Sequence, residues 1–293
     1  MVSGSPRQKS VILPSNSTLA TLTFQTTSIS SSGVFSHFVK FLSQRFIRFF
    51  ESRVNPDEAP VILWLSGGPG CSFTTASMFE FGPCLATDEG RNVTFNLYSW
   101  NSNASIIFLG QPVNVGFSYA DNGTTVDNSF AAAKDTYVFL QLFFGRFKKY
   151  SKLPLHLAGE SYGGVYAPNV AMEVSRQNKA LSKIGSSPAS QYRSHINLVS
   201  IVIANGMTDP YTQIASSVRY VCGDGPFPVY GTNGIYCKSL LKDKVPICQR
   251  LIKSCYDSAD SELVDKKCPT ATRFCFEQIM DPLMGKSFLQ LIV

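Results

Sequence analysis

Ten residues, Leu155-His156-Leu157-Ala158-Gly159-Glu160-Ser161-Tyr162-Gly163-Gly164, constrain the fold more than any other stretch of the chain. They read as a short apolar strand, then Gly-x-Ser-x-Gly, then a helix start. The order says more than the five-letter pattern, which also arises by chance in glycine-rich chains. A serine at a sharp strand-to-helix turn is pushed out of the sheet with its Oγ exposed. Gly159 and Gly163 supply the room, because larger side chains on either side would collide. The helix that follows aims its free N–H groups, that of Tyr162 included, at the place where an oxyanion would form. Ser161 is therefore a candidate nucleophile.

The flanking chain supplies the rest of an α/β frame. Pro60-Val-Ile-Leu-Trp-Leu65 is a buried-strand signal. It leads into Ser66-Gly67-Gly68-Pro69-Gly70-Cys71, whose three glycines exceed the need of a plain turn and let backbone N–H groups approach a ligand. Ile106–Leu109 and Ile196–Ala204 read as further strands. Asp127 or Asn128 caps a helix to about Phe147, and another helix runs near 164–178. Apolar strands alternating with helices predict a mostly parallel sheet with both faces covered. Residues 1–33, rich in Ser and Thr, read as a tail. Residues 34–50 fit a basic amphipathic helix on a membrane surface, although Phe46–Arg53 also suits a strand running into a proline turn. From Tyr211 onward the pattern breaks into turns, cysteines and short helical pieces, a second, cap-like segment.

Composition narrows the setting. The formal net charge of +6 comes from scattered Lys and Arg, with no stripe for a nucleic acid. No apolar run approaches the ~18 residues of a membrane span. Six of eight cysteines crowd between Cys222 and Cys275, as disulfides of a loop-rich insertion would. With no Cys-x-x-Cys and no histidine among them, a metal site is the weaker reading. N-x-S/T sequons at Asn16, Asn92, Asn103 and Asn122 fit a secretory route, vacuolar or extracellular. Met1–Ser10 is polar and no apolar core of a signal peptide follows it, so either the true start is expected upstream or the first exon is expected to be wrongly assigned.

The stretches FFESR (49–53), PVILWLSGGPGCS (60–72), FEFGP (79–83), YSWNSNAS (98–105), IIFLGQPVNVGFSY (106–119), AGESYGG (158–164), NGMTDP (205–210) and SCYDS (254–258) together resemble the serine carboxypeptidases, the fungal enzymes most closely. The resemblance runs from about Phe46 to about Glu277. It implies an α/β-hydrolase core over 46–210 and part of an inserted cap over 211–293. It also implies a peptidase that takes peptide C-termini and needs no cofactor. By resemblance Ser161 is the acylating nucleophile, the N–H groups of Gly68 and Tyr162 form the oxyanion hole, and Trp64, Ser66, Gly67 and Glu160 hold the substrate carboxylate. Two carboxylates at hydrogen-bond distance cannot both ionise, so Glu160 needs a shared proton, and Glu80 is placed to share it; acid should favour the reaction. The resemblance pairs Cys222–Cys237, Cys248–Cys275 and Cys255–Cys268. Cys71 and Cys84 are left over, to pair with each other or stay free.

A serine nucleophile also needs a base and an acid that orients it. After Ser161 the only histidine is His195, at the wrong end of its strand, and His156 lies five residues before Ser161, roughly 17 Å away along a strand. His37 sits in the unmatched tail. The family's Asp and His lie in a later segment, so the chain as written is expected to be truncated and inactive as a peptidase. Three residues depart from the family pattern: Ser66 for Asn in the carboxylate loop, Gly110 for Asp and Ala204 for Gly. A non-catalytic binding protein, and an esterase or acyltransferase on the same scaffold, stay open beside the peptidase.

Overall fold

The computed structural model describes residues 19–28, 41–120, 125–184, 193–225, 229–230 and 234–283, the first ten and 41–44 by their backbone alone. Asn16, His37, Asn122 and the segment 285–293 lie outside the described residues. The chain divides into two compact units, Met1–Gly206 and Met207–Val293.

Unit 1 is built on a sheet of seven strands: β1 (Leu19–Ser28), β2 (Phe41–Phe50), β3 (Val61–Leu65), β6 (Ser105–Leu109), β7 (Tyr119–Ala120), β8 (Leu155–Glu160) and β9 (Leu198–Ala204). The order is β1-β2-β6-β3-β8-β9, with β7 paired to β2. The β6, β3, β8 and β9 strands are parallel, while β1, β2 and β7 run against their neighbours. A separate hairpin joins β4 (Cys84–Thr87) to β5 (Asn92–Phe95).

The period of two along each strand separates two cores. Ile47, Phe49, Leu63, Ile107 and Leu157 face α1 (Ser129–Arg146) and α2 (Gly163–Ile184). Phe50, Trp64, Ile106, Phe108 and Ala158 face the opposite way, onto Phe73 and Ala76 of the segment that follows β3. Strands that bury both faces must be apolar throughout, as β3 and β6 are. The α1 helix starts where its cap places it: Oδ1 of Asn128 accepts the Ala131 N–H at 2.8 Å.

The N-terminal region differs from its sequence reading. The tail assigned to 1–33 contains β1, whose ten residues pair with β2 from Leu19↔Phe50 to Ser28↔Phe41. The helix assigned to 34–50 is, over 41–50, the strand β2. Helical spacing and alternation compete in VFSHFVKFLSQRFIRFF, and pairing decides: β2 is hydrogen-bonded on both sides, and its two apolar faces, Ile47/Phe49 and Phe50, each enter a core. A surface helix would bury only one of them.

Among the described residues the β9 strand pairs with β8 alone. Val199, Ile201, Val202 and Ile203 are exposed along it, apolar on both faces of the sheet edge.

Unit 2 is helical: α3 (Pro210–Arg219), α4 (Ile235–Ser239), α5 (Val245–Tyr256) and α6 (Ser261–Cys275). Its core gathers Val218, Leu240, Ile252, Ala271 and Ile279 around four cysteines. Disulfides link Cys222–Cys237, Cys248–Cys275 and Cys255–Cys268, with Cα separations of 5.8, 5.3 and 4.9 Å. Staples of this kind replace apolar area that so small a unit cannot bury. Cys71 and Cys84 are free thiols.

Candidate active site

The site is set by two parallel strands ending side by side. Leu65, the last residue of β3, pairs with Gly159 on β8. The β3 strand ends there and β8 one residue later at Glu160, so the glycine loop after β3 meets the serine turn after β8. Ser161 has φ +55°, the left-handed region that residues with a Cβ avoid. Its N–H donates to the Ala204 carbonyl at 3.1 Å, and its own carbonyl accepts from the Gly164 N–H at 3.0 Å. Held at both ends, the residue carries an exposed side chain.

The glycines are required sterically. A Cβ on Gly159 would lie 2.5 Å from the Gly163 oxygen, and one on Gly163 would lie 2.5 Å from the Leu65 oxygen. A Cβ on Gly67 would meet the Glu160 oxygen at 2.6 Å, the Ser161 Cβ at 2.7 Å and the Tyr162 nitrogen at 2.7 Å. The glycine loop therefore lies directly against the serine turn. Gly68 and Gly70 adopt φ +106° and +88°, and the Cys71 N–H closes the loop onto the Gly67 carbonyl at 3.1 Å. Tyr162 precedes α2, so its N–H is one of the donors that a helix leaves unpaired at its start. Its ring packs edge-on to Tyr166 at 5.1 Å, and its hydroxyl lies 3.5 Å from Ser129 Oγ.

Beside this turn lies an aromatic and acidic wall. Trp64 is 3% exposed and donates its indole N–H to Ser66 Oγ at 3.1 Å. Phe81 and Trp100 enclose it, with ring centroids 4.5 and 5.8 Å away. Glu80 ends a wide helical turn over Ala76–Glu80. Partial burial, and then the negative charge of Glu160, raise the Glu80 carboxyl above its ordinary range. The Glu80 carboxyl thus lies within the field of Glu160, across a gap of 79 intervening residues in sequence.

Several supporting residues carry no role in the sequence reading. Asn96, 4% exposed, donates its amide to the Glu80 and Gly82 carbonyls at 3.3 and 3.0 Å. Ser99 Oγ donates to the Phe81 carbonyl at 2.8 Å. A Cβ on Gly82 would sit 1.9 Å from the Ser77 oxygen, so the turn that carries Glu80 closes only over glycine. Gly82 lies in FEFGP and Ser99 in YSWNSNAS, while Asn96 falls between the two stretches, a polar residue among aromatic neighbours.

Other site residues of the sequence reading lie apart. His156 is half-buried on β8, with Nδ1 2.7 Å from Ser200 Oγ on β9. His195 is exposed ahead of β9. Both sit toward the amino ends of parallel strands, while Ser161 follows a carboxyl end. The sequons Asn92 and Asn103 are exposed, Asn92 on β5 with its amide donating to Asp88 Oδ2 at 2.6 Å. Among the described residues no cluster of three or more His, Cys, Asp or Glu could hold a metal ion, and no helix is long and apolar enough to cross a membrane.

This geometry agrees with comparisons to known proteins. The serine carboxypeptidase family profile matches residues 30–278, reaching back ahead of Phe46. Carboxypeptidase Y homolog A of Uncinocarpus reesii is 43% identical over 238 residues, 81% of this chain and 40% of that protein. Its counterpart in Paracoccidioides lutzii is 44% identical over 237 residues, 81% of this chain and 39% of that protein. The crystal structure of Kex1(delta)p, a prohormone-processing carboxypeptidase from Saccharomyces cerevisiae, superposes with a TM-score of 0.65 at 24% identity, covering 90% of this chain and 55% of that one. The chain thus spans about 40% of the curated relatives it matches. Unit 1 has the mixed, mostly parallel sheet of an α/β hydrolase. With a profile over most of its length and relatives above 40% identity, the chain belongs to the serine carboxypeptidase family.

Proposed function

We propose that this chain carries the nucleophile and the carboxylate-binding wall of a serine-type carboxypeptidase, which releases C-terminal residues from peptides through an acyl-enzyme at Ser161. The observation that supports it best is the contact of Gly67 with the Ser161 turn beside the Glu80–Glu160 pair. A nucleophile turn packed directly against a loop that can hold a free carboxylate has a use in cutting the last peptide bond. An esterase pocket has no such use.

In the proposed reaction a peptide places its terminal carboxylate against Ser66, Gly67 and Glu160, with Trp64 behind. Ser161 Oγ attacks the last peptide carbonyl. Its proton passes through a base to the departing amine, and the oxyanion is held by the N–H groups of Gly68 and Tyr162. The free amino acid leaves, and water then hydrolyses the acyl group from Ser161. The base is not His156 or His195, given where they sit. That placement favours a second reading for these residues alone: a chain that binds a C-terminal carboxylate without turnover. Unit 2 corresponds in sequence to part of the family's inserted segment, and its three disulfides fit a secretory route.

The pH dependence follows from Glu80. Its raised pKa means that the fold favours the protonated form. The stabilisation is complete below the ordinary carboxyl value of 4.5 and is lost as pH rises through the raised one. A shared proton lets Glu160 and a substrate carboxylate meet without charge repulsion, so binding follows the same course. In protein with peptidase activity, hydrolysis of a blocked dipeptide is expected to decline as pH rises through that range. The C-terminal amide of the same dipeptide should be about 10–100-fold poorer in acid, the value of a charge-assisted hydrogen bond, with no such decline. Equal rates for acid and amide across pH 4–8 would remove the carboxypeptidase reading and leave the esterase. Binding of the dipeptide by the 293-residue chain, read from its two tryptophans, separates the second reading, since Trp64 and Trp100 both lie in the wall.

A further inference from the structure

The three disulfides of unit 2 differ in access to solvent. Cys222, Cys237, Cys248 and Cys275 are 3%, 0%, 0% and 1% exposed, sealed in the core of the unit. Cys255 and Cys268 are both partly exposed. Cys255 is the penultimate residue of α5, and Cys268 lies within α6, so their bond closes the connection between the two helices. Exchange requires a thiolate to approach a sulfur in line with the bond. A small thiol can reach Cys255–Cys268 from solvent, whereas the other two disulfides become reachable only when the core opens. Lys267, next to Cys268, donates its ammonium to Ser258 Oγ at 3.1 Å. This brings positive charge into the turn that the two cysteines enclose, where it favours a departing thiolate.

The bond also has something to release. Tyr256 follows Cys255 and donates its hydroxyl to Asp209 Oδ1 at 2.9 Å. Asp209 is the cap of α3: its carboxylate accepts the N–H groups of Tyr211 and Thr212, each at 3.3 Å, and the Thr212 hydroxyl at 2.6 Å. The end of α5 is thus tied to Cys268 on one side and to the first turn of α3 on the other.

We propose that Cys255–Cys268 is a thiol-exchange site for small monothiols of the glutathione class, and that opening it loosens the α3 cap through Tyr256. A thiolate attacks one sulfur, forming a mixed disulfide and releasing the other cysteine as a thiolate. A second thiolate attacks the mixed disulfide, freeing the remaining cysteine and leaving the small thiol as its disulfide. Two electrons pass from two thiols to the protein, and the two cysteine thiolates take up the protons that the thiols lost. The inference stands apart from Ser161 and its chemistry.

The test begins with the folded 293-residue chain, its free Cys71 and Cys84 first blocked with N-ethylmaleimide. Reduced glutathione is then added in graded amounts, with iodoacetamide trapping and peptide mapping. Cys255 and Cys268 should be alkylated at least about ten-fold faster than the other four, which wait on opening of the core. Equal rates, or earlier labelling at Cys222–Cys237 or Cys248–Cys275, overturn the site. The relay is read by amide hydrogen exchange at Tyr211 and Thr212. Exchange there should rise about ten-fold when the cap is lost in the Cys255→Ser/Cys268→Ser double variant, while buried Ile252 in α5 stays protected. Tyr256→Phe keeps all three disulfides and should raise exchange at the same two amides, so it carries the test if the double variant does not fold. No rise in Tyr256→Phe overturns the relay.

Discussion

Ser161→Ala is expected to lower peptide hydrolysis on the order of 10⁶-fold, the scale seen when a serine nucleophile is removed from a hydrolase. The measurement is kcat/KM on a blocked dipeptide in protein that turns it over. Carboxylate binding should be unchanged, because Ser66, Gly67, Glu80 and Glu160 are untouched. A loss below ten-fold would mean that Ser161 is not the acylated group. The same position makes an opposite prediction for stability. At φ +55° a side chain strains the backbone by roughly 1–2 kcal/mol. Ser161→Ala keeps the Cβ and the strain. Ser161→Gly removes both, offset in part by the entropy that glycine adds to the unfolded chain. Ser161→Gly should therefore be inactive yet more stable than Ser161→Ala by up to about 1 kcal/mol, roughly 2 °C in Tm for a chain of this size. Equal melting of the two variants would show that the turn stores no strain.

Gly67→Ala is the second large effect. The added methyl would press on the Glu160 oxygen at 2.6 Å and on Ser161 Cβ and Tyr162 N at 2.7 Å, all parts of the turn itself. None is the free end of a flexible side chain, so the loop and the turn must part. The expected cost is about 1–3 kcal/mol of stability. Separating the Gly68 and Tyr162 N–H groups should cost a further 10²–10³-fold in kcat, the value of an oxyanion donor. Gly145→Ala is the control. Gly145 lies within α1 with nothing within 4 Å of its added Cβ, so alanine should raise stability by about 0.5–1 kcal/mol and leave kcat alone. Full activity in Gly67→Ala would separate this loop from the chemistry.

The wall beside Ser161 shows how far local pattern carries. Trp64 and Ser66 follow from the strand and loop in which they stand. Trp100 and Phe81 do not, because their edge-on packing against Trp64 depends on how the segment after β3 folds over the sheet. Glu80 and Glu160 enter the sequence reading through family resemblance alone. The effect of the Glu160 charge on Glu80 needs β8 to lie beside β3, which no spacing along the chain encodes. At the N-terminus the local signal leaves helix and strand both open, and the strand reading of Phe46–Arg53 holds as far as Phe50. Phe41–Phe50 carries both helical and alternating spacing, and only pairing with β1 and β6 makes it a strand.

By itself the sequence determined the features that a few adjacent residues dictate through hard sterics and hydrogen bonding. Those are the Gly159-x-Ser161-x-Gly163 turn, the glycine loop after β3, a helix cap at Asp127 or Asn128, and the family. Tertiary structure alone decided what meets what. It set Gly67 against the serine turn, Glu80 within the field of Glu160, His156 and His195 toward the far ends of their strands, and Cys255–Cys268 at the surface while its companions lie in the core. The reason is range. Backbone sterics act within a turn or so of chain, whereas contacts between distant segments follow from strand order and the burial of faces, which are properties of the folded molecule.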